Sequence, residues 1–112
     1  MKAILKKDVR KLLTDLGPSV DAIAKKLRRL KVKGIPDNSC ECPIAVYLRR
    51  KLPKNTGVDV HLTYTYVWNR QDDGAGKYVQ IPKAVQKFIW EFDLGHIPGL
   101  DVRAKGLTAS GL

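Results

Sequence analysis

Val58-Asp59-Val60-His61-Leu62-Thr63-Tyr64-Thr65-Tyr66-Val67-Trp68 alternates without a break. Val58, Val60, Leu62, Tyr64, Tyr66 and Trp68 fall on one side. Asp59, His61, Thr63, Thr65 and Val67 fall on the other. Side chains of a strand point alternately to opposite faces, so this period predicts one long strand with a packed face and a mostly wet face. Asp72-Asp73-Gly74-Ala75-Gly76 reads as a turn, and Tyr78–Ile81 as the return strand of a hairpin. The strand aromatics are of the kind that stacks unpaired bases in single-strand binders. Their shared face with Val58, Val60 and Leu62 assigns them instead to the core, with Tyr64 and Tyr66 under the last helix against Phe88 and Phe92.

Helices flank this hairpin. Leu5, Val9, Leu12 and Leu16 form a stripe at helical period over residues 3–16. Gly17-Pro18 ends that helix and begins a second over residues 19–31, with Val20, Ile23, Leu27 and Leu30 inward and Lys25 and Arg29 on the opposite side. A loop follows at Lys33–Ser39. Cys42-Pro43 opens a third helix over residues 43–52, with Ile44, Tyr47, Leu48 and Leu52 inward. Pro82 opens a last helix with Ala84, Val85, Phe88, Ile89 and Phe92 inward, and Gly95 and Pro98 close it. The fold class is α+β, in the order helix-helix-helix-strand-strand-helix, with an antiparallel hairpin packed on helices. Residues 1–100 read as a single compact domain and 101–112 as a frayed C-terminal tail.

Charge is divided between the two halves of the chain. Residues 1–54 hold 15 Lys/Arg against five Asp/Glu, a net +10, while residues 55–112 hold six of each. Concentrated positive charge draws polyanions, nucleic acid foremost. Lys25, Arg28, Arg29, Arg49, Arg50 and Lys51, on the helices of residues 19–52, are the candidate phosphate contacts. The expected function is non-enzymatic, salt-sensitive binding of DNA or RNA. The alternative is a phage- or mobile-element-type interaction module that binds and modulates an acidic host protein, with Trp90, off the apolar stripe of the last helix, as a partner anchor. A winged helix-turn-helix shares the element order. The long connection from Val32 to Cys42 and the acidic Asp72 and Asp73 at the hairpin tip oppose it.

Other chemistry is sparsely supplied. Cys40 and Cys42, with His61 and His96 far along the chain, lack the spacing of a zinc site, and neither metal nor cofactor is expected. Asp73-Gly74-Ala75-Gly76-Lys77 departs from the phosphate-loop pattern at Gln71 and Tyr78. Thiol chemistry at Cys42, beside the start of the third helix, is the one enzymatic alternative. The longest apolar run, Ile44–Leu48, is too short for a membrane span. With no secretory leader and too few cysteines for a disulfide framework, the expected location is cytoplasmic.

Cys42-Pro43-Ile44-Ala45-Val46-Tyr47-Leu48 resembles a Cys-Pro-aliphatic-Ala-x-aromatic-Leu segment of small, functionally unassigned proteins of actinobacteria and their phages. Phe92-Asp93-Leu94-Gly95-His96-Ile97-Pro98 is similar to their closing Phe-Asp-x-Gly-x-x-Pro segment, with His96 where that pattern has an aromatic. The resemblance spans residues 18–100. It implies a bacterial or phage-coded intracellular protein and implies no activity.

Overall fold

The computed structural model describes residues 6–71 and 76–102. Its elements run α1 (Lys6–Asp15), α2 (Val20–Arg29), α3 (Pro43–Lys51), β1 (Thr56–Val60), β2 (Tyr64–Asn69), β3 (Lys77–Gln80) and α4 (Lys83–Asp93), followed by a 3-10 turn at Pro98–Leu100. The fold is α+β, as expected, but it has three strands where the alternation predicts two. The start of the first predicted helix (residues 3–5), the hairpin turn at 72–75 and the tail from 103 lie outside the described residues.

The helix boundaries follow from caps. Ser19 caps α2, its Oγ accepting from the Ala22 N–H at 3.1 Å, which satisfies one of the open donors of the first turn. Cys42 caps α3 with Pro43 at the first helical position, where the missing N–H costs nothing. α2 stops at Arg29, short of the predicted residue 31. Lys31 takes φ 57°, its N–H bonds Arg28 O, and the Val32 N–H bonds Leu27 O. That is a Schellman motif, with Val32 and Leu27 both buried beside it.

β1 and β2 form a hairpin inside the stretch read as one strand. Val60 faces Thr65, and the His61 N–H bonds Tyr64 O at 2.9 Å, so Leu62 and Thr63 are the two turn residues. Opposed residues in a hairpin share a face. With Val58 and Val60 inward, their partners Val67 and Thr65 are inward too, and Tyr64, Tyr66 and Trp68 point outward. Val67 and Thr65 are each 0% exposed, and Thr65 Oγ1 donates to Asp59 O at 3.0 Å. The assignment of Tyr64 and Tyr66 to the core under the last helix is therefore overturned. Phe88 and Phe92 stack on each other instead, 6.1 Å apart.

The sheet order is β1-β2-β3, all antiparallel. Helices sit on its inner face, α3 against β1 and α1 against β3, while α4 packs on α2. One connected core runs from Val9 to Leu100, with Tyr47, Phe88 and Phe92 its largest members. Backbone pairing continues past residue 100: Gly34 bridges Asp101, and the Val102 N–H bonds Gly34 O. The fraying expected from Asp101 onward thus does not include Asp101 and Val102.

Candidate nucleic-acid interface

The α2 and α3 helices bring part of the predicted basic set together. Arg50 Nη1 donates to the carbonyl of Leu30, the C-cap of α2, at 3.2 Å. This bond ties the basic last turn of α3, Arg49-Arg50-Lys51, to the basic last turn of α2, which holds Lys26, Arg28 and Arg29. Positive side chains also complement the negative ends of the two helix dipoles. Lys25, Arg28, Arg29, Arg50 and Lys51 are exposed. Lys25, Arg28 and Arg29 lie three and four residues apart, on one side of α2. Arg28 also reaches over Gly99, where an added Cβ would stand 3.6 Å from its Nε.

Arg49 is different. Its guanidinium donates to the Cys40 carbonyl and pairs with Glu41 Oε2 at 3.0 Å. It braces the loop that leads into α3, so a phosphate would compete with a carboxylate for it. Lys26 is only partly exposed, donating to Asp15 O at 2.7 Å with its ammonium 5.9 Å from the centre of the Tyr47 ring, whereas Arg50 is exposed beside its bond to Leu30.

The outer face of the sheet holds a second constellation, three of whose members, Tyr64, Tyr66 and Trp68, the alternation assigns to the core. Five rings form a chain across it. His61 stacks on Tyr64 at 4.7 Å, Tyr64 meets Tyr78 at 5.5 Å, Tyr78 meets Tyr66 at 4.7 Å, and Tyr66 stacks on Trp68 at 5.4 Å. Trp68 lies flat on Gly57, where an added Cβ would meet the indole at 2.2 Å. The Gly76 N–H donates to Tyr66 Oη at 2.8 Å. Tyr78 is 62% exposed and Tyr64 37%. At the edge of the row His61 Nε2 lies 3.3 Å from Asp59 Oδ2. A hydrogen bond from Ser39, aided by His61 and Cys40, holds the Asp59 carboxyl below the usual carboxylate range.

The remaining candidates carry less. Trp90 is 57% exposed on α4, with Leu94 55% exposed one turn on. A cleft of about 560 Å³ between α2 and α4 sets Arg28, Lys87 and His96 against Asp21 and Glu91, so it presents no single sign of charge. Among the described residues, no three His, Cys, Asp or Glu gather in a metal-binding group, and no helix is long and apolar enough to cross a membrane.

Cys42 caps α3 as the sequence suggested, its Sγ accepting from the Ala45 N–H at 3.5 Å. Burial nevertheless dominates and pushes its thiol up to about 11, which is the opposite of an activated nucleophile. The neutral thiol is the form the fold prefers, so its share of stability is complete below pH 9 and is lost as pH rises toward 11. Iodoacetamide at pH 8 should modify exposed Cys40 and spare Cys42 in the folded protein. Equal modification of the two would contradict the buried cap.

No protein-family model, curated protein or solved structure matches this chain.

Proposed function

We propose that this protein binds nucleic acid, without catalysis, through phosphate contacts from the basic last turns of α2 and α3. The observation that carries the reading is the Arg50–Leu30 bond, which joins two basic helix ends in a chain whose net +10 lies within residues 1–54. Arg29, Arg50 and Lys51 are its principal contacts, with Lys25 and Arg28 beside them. Arg49 acts through the loop it braces.

Binding of this kind weakens steeply with salt. Anisotropy titrations across a salt series should give a linear fall of log affinity with log salt. Replacing Arg29, Arg50 and Lys51 by alanine should flatten that slope by roughly 0.9 per contact on duplex DNA, and weaken unrelated sequences alike. Absence of binding at low salt to every DNA and RNA tried would end the proposal.

A second reading, an interaction module for an acidic host protein, is favoured by the exposed Trp90–Leu94 pair on α4. A large exposed aromatic beside an apolar neighbour is the usual anchor of a protein interface. It requires a partner that is retained after nuclease treatment and lost with Trp90→Ala.

A further inference from the structure

The outer face of the sheet carries more apolar ring surface than its own stability requires. Trp68 and Tyr66 have structural work there, covering Gly57 and taking the Gly76 N–H, as aromatics over strand glycines commonly do. Tyr64 and Tyr78 have no such task. They extend the row outward to the edge strand, with His61 and the 42%-exposed Leu62 beside them. Among the described residues no helix covers this face, because α1 and α3 occupy the other one.

We infer that this face is a stacking platform for unpaired bases, and that the protein's ligand is single-stranded nucleic acid. The inference rests on the nucleic-acid reading above for the class of partner, and adds a second contact surface. Three observations carry it. The rings are contiguous, and Tyr78, 62% exposed and tilted against both of its ring neighbours, with Tyr64 beside it, leaves ring surface open on which a base can stack. The occupant must suit a chain of net charge +10, which favours a polyanion over a second copy. Two cations adjoin the Trp68 end of the row in sequence, Lys54 just before β1 and Arg70 just after β2, the Arg70 N–H bonding Asn55 O, whereas Lys77, opposite Val67, belongs to the inner face. Residues 55–112, which supply the whole sheet, carry six cations and six anions, so the charge of this part of the chain is balanced. Affinity on this face comes from the rings, and the salt dependence comes from the helices. In a duplex the base faces are already stacked and closed to a protein ring, so the platform selects single strands.

The test uses the full chain with Trp90→Phe, which leaves Trp68 as the sole tryptophan. Oligo-dT and oligo-U should quench Trp68 emission on binding, and a duplex of equal length should bind more weakly without quenching it. Quenching by either oligonucleotide supports the platform, and their ratio tells DNA from RNA. Tyr64→Ala with Tyr78→Ala should weaken single-strand binding roughly tenfold or more, with the salt slope unchanged and the fold intact by circular dichroism. If duplex binds equally well and the tyrosine variant binds normally, the platform is wrong and the helical phosphate site stands. If neither strand nor duplex binds at low salt, the nucleic-acid reading itself fails. If a poly-glutamate peptide quenches Trp68 and the oligonucleotides do not, the face belongs to an acidic protein and the inference is overturned.

Discussion

Val67→Asp is expected to unfold this protein under conditions in which Tyr78→Ala leaves it folded. Val67 is 0% exposed on the inner face of β2 and Tyr78 is 62% exposed on the outer face of β3. A carboxylate at position 67 would be buried without a partner, at a cost of more than about 4 kcal/mol. A domain of this size has only about 5–15 kcal/mol of stability in total. The milder Val67→Ala should cost about 2 kcal/mol and lower Tm by roughly 10 °C. Tyr78→Ala should stay within about 1 kcal/mol, since it loses cross-strand ring contacts and little burial, and Tyr64→Ala, at a residue 37% exposed, should cost somewhat more. Tyr66→Ala should fall between, because its ring is half-buried and its hydroxyl accepts from Gly76. Thermal melts of the five variants decide the matter. A stable Val67→Asp beside an unfolded Tyr78→Ala would mean that the sheet presents the opposite face to the helices.

The same pair of residues explains where sequence reasoning succeeds and where it stops. The helices were legible because their signals are local: a leucine stripe, Ser19 or Cys42 at the cap, Pro43 at the first position. The β1–β2 turn has no local signal. Tight two-residue turns usually announce themselves by Gly, Asn or Asp, which tolerate positive φ. Neither Leu62 nor Thr63 has positive φ here, so nothing in their identity interrupts the alternation. One unseen turn exchanges the two faces of everything after it, and sends Tyr64, Tyr66 and Trp68 from core to surface. Thr65 shows the converse: a polar residue belongs inside because the Asp59 carbonyl satisfies its hydroxyl.

The candidate site was legible to a similar depth. Composition pointed to residues 19–52 as the basic region, and Arg50 does meet the end of α2. It did not separate Arg50 from Arg49. Adjacent positions on a helix point about 100° apart, so one reaches Leu30 and the other reaches Cys40 and Glu41. Which neighbour receives which arginine depends on the path of the 33–42 loop. Asn38 closes that loop by accepting from the Cys40 and Glu41 N–H groups, and Asp93 of α4 pins it by accepting from the Asp37 N–H. These are tertiary facts without a sequence period.

Gly34→Ala should be among the most damaging single-methyl changes in the chain. An added Cβ would stand 2.4 Å from Glu41 O, 2.5 Å from Pro43 N and 2.6 Å from Cys42 C. All three are backbone atoms at the start of α3, so no side-chain rotation relieves the clash. Movement of Gly34 away from them would strain two further bonds, its own N–H to Leu100 O at 2.8 Å and the Val102 N–H to its carbonyl at 3.1 Å. The expected loss is about 3 kcal/mol, at the upper end of overpacking costs, with Tm lower by roughly 12 °C or more. Gly95→Ala is the control. Gly95 has φ +83° but open space around its Cα, so it tests backbone conformation alone and should cost about 1–2 kcal/mol. A larger loss at Gly95 than at Gly34 would refute the close-approach account. The site should respond as well. The backbone that Gly34 contacts carries the Cys40 carbonyl and Glu41, which hold Arg49, and it starts the helix that delivers Arg50 to Leu30. Gly34→Ala protein that remains folded at low temperature should therefore bind nucleic acid more weakly, while Gly95→Ala protein should bind as the native chain does.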